Sequence, residues 1–185
     1  AMEGAVLSEY LEESLRIAQL IKNAGFNGVK VAMPWTYPGQ GSEINNDLNR
    51  FQNAVEAARQ NNLEFGFTLI PHNQFGEVGQ APVTISQMRR YSDTVVSYMH
   101  AFEEKKPGGK LIIGLPNEPN SETFWHPQED SALKVVRLLS IAYPKIKYEA
   151  EKLNITATVV GGEVASYHGD LSFIEAMGQA KRDLG

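Results

Sequence analysis

The segment Leu111-Ile-Ile-Gly-Leu-Pro-Asn-Glu-Pro-Asn120 carries the strongest chemical signal in the chain. An apolar run delivers Glu118 between Pro116 and Pro119, with Asn117 before it and Asn120 just beyond. Proline has a fixed φ and no N–H, so a loop flanked by two of them is stiff and holds its carboxyl in place. A rigid carboxyl at a strand end suits a general acid, whose proton must meet a leaving-group oxygen at hydrogen-bond distance. Taken alone, the tripeptide Asn117-Glu118-Pro119 equally serves a turn with a solvated glutamate.

Other reactive side chains fall on segments that follow strands. Three of the four histidines, His72, His126 and His168, do so, together with Trp35, Trp125 and Glu163. Three imidazoles beside Glu118 or Glu163 could hold zinc or a similar ion, which opens a metal-dependent hydrolase as one reading. No two of them stand at the His-x-x-x-His spacing that makes a metal signal strong. His100 sits on a helical pattern and reads as structural. Pro107-Gly108-Gly109 precedes a strand instead of a helix N-terminus, and there is no phosphate-loop or dinucleotide motif, which disfavours phosphate chemistry.

The elements that must carry these residues alternate in period. Leu7, Leu11, Leu15, Ala18 and Ile21 share one helical face, and the pattern stops at Asn23-Ala24-Gly25. A second helix is marked by Leu48, Phe51, Val55 and Ala58. A third opens with Thr84 and Gln87 at capping-box spacing and carries Met88, Tyr91, Val95, Tyr98 and Phe102. A fourth is predicted over Ser131 to Lys152, with Pro144 expected to kink or break it. A last helix runs from about Leu171 to Arg182. Strands are predicted near 29–34, 63–70, 110–115 and 155–161, and strand–helix alternation implies a parallel sheet.

The strands themselves alternate. Val29, Val31 and Met33 face one way, as do Phe65, Phe67 and Leu69, and Leu111, Ile113 and Leu115. The other face holds Lys30, Ala32, Glu64, Gly66, Thr68, Ile112, Gly114 and Thr158. Doubly wound sheets bury both faces and read as continuous apolar runs. One apolar face and one small, partly polar face fit the wall of a (β/α) barrel better, with an open α/β sheet as the alternative. Helix-to-strand turns are short and strand-to-helix segments long, and barrel enzymes place their chemistry on the second set. A complete eightfold barrel takes about 250 residues. This chain of 185 residues therefore reads as α/β, a partial TIM barrel: one half-barrel segment over 1–185, with about four parallel strands and flanking helices.

Composition narrows the partners. With 17 basic and 22 acidic side chains the net charge is −5, so no basic footprint for nucleic acid or an anionic membrane is present. The chain has no cysteine, which removes disulfides, thiolate metal sites and cysteine nucleophiles. No apolar run is long enough to span a membrane. The opening Ala1-Met2-Glu3-Gly4 does not read as a signal peptide, looks like an added remnant, and leaves both a secreted and a cytoplasmic bacterial protein open.

Asn117-Glu118-Pro119 after a strand resembles the acid/base signature of clan A glycoside hydrolases, the retaining (β/α)-barrel glycosidases. Asn27-Gly-Val-Lys-Val31 with Pro34-Trp-Thr-Tyr-Pro-Gly-Gln40 is similar to the second strand and loop of cellulase-like proteins of the family 5 or family 39 type. Phe124-Trp-His-Pro-Gln128, Tyr143 to Lys147, Thr158-Val-Val-Gly-Gly162 and Ser172-Phe-Ile-Glu-Ala-Met-Gly continue the resemblance in order and spacing. It implies cleavage of O-glycosidic bonds in a β-linked oligo- or polysaccharide. Glu118 would protonate the glycosidic oxygen and then activate water, while Asn117 would hydrogen-bond the sugar 2-hydroxyl. Trp35, His72, Asn120, Trp125, Glu163 and Tyr167 would line the substrate site, with Trp35 and Trp125 as stacking platforms for sugar C–H faces. Tyr37, Phe75 and Phe124 read as loop packing. No cofactor or metal is required for that chemistry.

The chain also departs from the pattern. Its strands correspond to the second to fifth of the barrel, so the first, sixth, seventh and eighth, and with the seventh the usual nucleophile, have no counterpart. Lys30 stands where many relatives carry arginine, and pairing with Glu64 on the neighbouring strand is expected. Glu163, one strand over from Glu118, is a candidate second carboxylate or a loop acceptor. Two copies could close one barrel about a two-fold axis, and hydrolysis would then more plausibly invert. The alternative is a non-catalytic glycan-binding or self-assembling half-barrel.

Overall fold

The computed structural model describes residues 2–3, 7–35, 44–71, 81–122, 125–163 and 170–184. In chain order the elements are β1 (Met2–Glu3), α1 (Leu11–Asn23), β2 (Gly28–Trp35), α2 (Ile44–Gln60), β3 (Glu64–Pro71), α3 (Ile85–Lys105), β4 (Lys110–Asn117), α4 (Ser131–Lys152), β5 (Thr156–Glu163) and α5 (Asp170–Leu184). The five strands form one parallel sheet in the order β1-β2-β3-β4-β5. A doubly wound sheet reverses its strand order at a switch point. Here the order is monotonic and each helix packs on the next, α1 on α2, α2 on α3, α3 on α4 and α4 on α5. Successive β/α units of this kind make a partial TIM barrel.

The opening residues are a correction. Met2 and Glu3 pair in parallel with Val29 and Lys30, so a first strand has a counterpart after all. Two residues are too few to show a period in sequence.

The core lies between the convex face of the sheet and the helices. Val29, Val31 and Met33, then Phe65, Phe67 and Leu69, then Leu111, Ile113 and Leu115 are all buried there. Phe51 of α2 joins the layers: its ring meets Phe65 at 5.3 Å and Phe67 at 5.4 Å, both edge-on, and Tyr98 of α3 at 4.8 Å. Such aromatic contacts add about 0.5–1.5 kcal/mol each beyond area burial. On the concave face Gly66 faces Ile112 so closely that a Cβ would lie 3.0 Å from it. Thr68 satisfies its buried hydroxyl by donating to the Gly114 carbonyl at 3.1 Å.

Helix ends follow their local chemistry. The Gln87 amide donates to the Thr84 hydroxyl at 3.2 Å and the Gln87 side chain accepts from the Thr84 amide at 2.8 Å, which is the reciprocal capping box. Helix α4 runs unbroken from Ser131 to Lys152 with Pro144 inside it, because burial of Val135, Leu138, Ala142 and Ile146 along one face outweighs the missing donor. One expectation changes. In α1 the buried stripe is Ser14, Ala18 and Ile21, while Leu11 is exposed at the first turn.

Candidate functional site

The C-terminal ends of β4 and β5 carry the carboxylates. Asn117 is the last residue of β4 and is paired in register with Glu163, the last of β5. Pro116 and Pro119 are both buried, so the loop is pinned on either side of the half-buried pair Asn117 and Glu118. Glu118 itself has φ +37°, in the left-handed region. A side chain with a Cβ adopts that conformation at a cost of about 1 kcal/mol or more, and it persists only where surrounding contacts overrule the strain.

Those contacts are present. The Glu118 amide donates to the Glu163 carbonyl at 2.7 Å, and the Glu118 carbonyl accepts from the Ser121 amide at 2.9 Å. Downstream, the Trp125 amide donates to the Ser121 carbonyl at 2.9 Å, and the Gln128 side-chain amide reaches the carbonyls of Trp125 at 2.6 Å and Pro119 at 3.3 Å. The Ala81 amide ties in the preceding strand-to-helix segment through the His126 carbonyl at 2.9 Å.

Glu163 reaches the concave face through a backbone device. Thr156, Thr158 and Val160 alternate inward on β5, which would send Glu163 towards the helices. Gly162 at φ +63° breaks that alternation. The Glu163 Oε1 accepts from Lys30 Nζ at 2.7 Å, with the two side chains 19 % and 23 % exposed. The expected partner Glu64 is thus corrected: Lys30 pairs with a carboxylate on β5, not with the neighbour on β3. The Oε2 atom of Glu163 is buried without a hydrogen-bond partner among the described residues.

The tryptophans are a second correction. Trp125 is 0 % exposed, with its indole N–H buried and without a partner among the described residues, and Trp35 is 3 % exposed. Trp35 shares the parity of Val29, Val31 and Met33, and its ring lies edge-on to Tyr91 at 5.3 Å. Neither ring offers a free face for sugar; both pack behind the strand ends. The parity of Trp35 was the signal available in sequence, whereas for Trp125 none was.

Tyr91 belongs to this supporting layer. Its hydroxyl donates to the Leu69 carbonyl at 2.9 Å, and burial, with the charge of Glu163 as a lesser cause, holds its pKa well above the usual phenol. Asn120, half-buried, lines a cleft of about 590 Å³ together with Gln128, Ser131, Ser172 and Phe173, on the α5 side of the loop. His72, Tyr167, His168, Tyr37, Phe75 and Phe124 lie outside the described residues. Of the three histidines of the metal reading only His126 is described, and it is exposed; among the described residues no three metal-ligating side chains cluster. Among them too, no helix is long and apolar enough to cross a membrane.

A parallel sheet in chain order, bearing Asn117 and Glu118 at the end of one strand, has the architecture of a (β/α)-barrel glycosidase. Residues 2–160 match the model of the cellulase family, glycosyl hydrolase family 5, and the chain belongs to that family. The match starts at β1, in keeping with the pairing of Met2 and Glu3, and runs through Asn117 and Glu118. No curated protein matches the chain.

Proposed function

We propose that the chain acts on β-linked oligo- or polysaccharides as a glycoside hydrolase, with Glu118 as acid/base and Asn117 as the partner of the sugar 2-hydroxyl. The observation that carries this reading is the left-handed backbone of Glu118 at the end of β4, tethered on both sides, in a member of glycosyl hydrolase family 5. Asp130 is left-handed too, but as the residue that opens α4, whereas the strain at Glu118 falls on a tethered strand end and is accounted for by a demand on where its carboxyl points.

In the first step Glu118 gives its proton to the glycosidic oxygen as the C–O bond breaks. In the second it takes a proton from the water that attacks the anomeric carbon while the glycosyl bond to a second carboxylate breaks, so the acid is restored and that carboxylate is freed. Retaining hydrolysis needs a second carboxylate about 5–5.5 Å from the first to form the glycosyl intermediate. In this reading it comes from the part of the barrel beyond β5; a second copy closing the barrel would place its carboxylate farther away and favour inversion. Glu163 is committed to Lys30 and supports the site instead of attacking the sugar.

The test is turnover of aryl β-glycosides and β-glucans by the purified protein beside Glu118→Gln. Activity in the parent that disappears in the variant is the expected result. Saturable glycan binding with no turnover in either protein would replace hydrolysis by a binding role.

A further inference from the structure

The ion pair of Lys30 and Glu163 joins strands at positions two and five of the sheet, across the concave faces of β3 and β4. Small residues keep that path open. Gly66 is the register partner of Lys30 on β3, and Gly114 lies on β4 directly beneath the carboxylate. A Cβ at Gly114 would stand 2.5 Å from the carboxyl carbon and from each of its oxygens. No atom tolerates that distance, so an alanine there must shift the Glu163 carboxylate from its place. Gly162 at φ +63° breaks the alternation just before Glu163, and a side chain at that position would be strained.

Glu163 is bound to the carboxyl loop at the same time through its backbone. It is the register partner of Asn117, and its carbonyl receives the Glu118 amide at 2.7 Å. A strained φ at Glu118 needs an anchored acceptor, because an acceptor free to move would let the backbone relax. That acceptor is held by the β4–β5 ladder and, through its own carboxylate, by Lys30.

The geometry points to Lys30 and Glu163 as a positioning pair: the ion pair fixes the end of β5, and the end of β5 holds Glu118 in its left-handed conformation. The inference rests on Glu118 being the acid/base. Lys30 acts on the reaction through Glu163, and Glu163 through Glu118, so both are positioning residues.

The experiment compares Lys30→Met, Gly114→Ala and Lys30→Arg in the full chain, with Lys145→Met, which removes the remote pair with Asp93 between α4 and α3, as control. Exchange of the Glu118 amide is followed by NMR, and kcat and KM are measured on the best substrate of the panel. Lys30→Met and Gly114→Ala are each expected to speed Glu118 exchange about tenfold beyond any change in global stability. They should lower kcat about tenfold with KM held within about twofold, since a displaced acid loses rate and not affinity. Lys30→Arg should keep both readouts near the parent, and Lys145→Met should leave them unmoved. Where Lys30→Met or Gly114→Ala does not fold, Glu163→Gln, which keeps the volume, takes its place.

Glu118 exchange at the parent rate in Lys30→Met and Gly114→Ala would overturn the positioning role, even with Glu118→Gln inactive. Faster Glu118 exchange in these variants, with a parent chain that turns over no substrate, would uphold the positioning role and remove the acid/base reading instead.

Discussion

The amide of Glu118 donates to the carbonyl of Glu163 across 2.7 Å, one residue beyond the point where Asn117 and Glu163 end the β4–β5 ladder. The carboxyl loop is thus an extension of the sheet. Its orientation depends on the twist and register of two strands whose convex faces are packed on helices, so it inherits their rigidity. A barrel places its reactive groups on loops but aims them with strands.

Asn117 is half-buried and stands next to the left-handed residue. If it binds the sugar 2-hydroxyl in the transition state, Asn117→Ala will lower kcat/KM about 100-fold on glycosides with a free 2-hydroxyl, the usual loss of one well-aimed donor. The same change should cost a 2-deoxy substrate much less. Parallel kinetics on the two substrates make the check, and equal losses would remove the contact.

Trp125 is fully enclosed, so its truncation opens a cavity. Trp125→Ala should destabilise by about 3–5 kcal/mol, read as a lowered midpoint in urea. Trp125→Phe fills most of the space and should leave KM for oligosaccharides within about twofold. A large rise in KM with unchanged stability would instead give this ring a sugar-stacking role.

Tyr91 and Tyr98 couple the fold to alkaline pH. Burial raises both phenols above the usual value of 10.0, with the charges of Glu163 and Asp47 as lesser causes. Unfolded tyrosines ionise near pH 10 while these stay neutral, so the unfolded state is favoured as pH climbs. Their contribution is therefore whole below pH 10 and is lost as pH rises from there towards the folded values. Tyr91→Phe should cost about 1 kcal/mol at neutral pH by removing the bond to Leu69, and flatten the alkaline decline. Urea unfolding at a series of pH values, with phenolate absorbance as the second signal, tests both.

The elements were legible because their causes are local. The spacing of Thr84 and Gln87 announces a helix start, and the reciprocal hydrogen bonds are there. The alternation of Val29, Val31 and Met33 states which face meets the helices, and all three are buried. Glu118 between two prolines marks a rigid carboxyl, a property of three consecutive residues. The two tryptophans were misread because a loop position says nothing of how deeply the loop packs. Trp35 continues the inward parity of its strand, and Trp125 is drawn in by hydrogen bonds from Gln128 and to Ser121.

Sequence alone determined the succession of β/α units, the two-faced strands and the residue that can carry a proton. These depend on side-chain period and backbone stiffness, which neighbours along the chain set between them. The tertiary structure decided the partner of Lys30. It could have paired with Glu64 across one strand; it pairs with Glu163, 133 residues away, because a glycine on β4 leaves room and a glycine on β5 breaks the strand's alternation. Charge and residue type are written locally. Which charges meet depends on how strands far apart in the chain are brought onto one concave face.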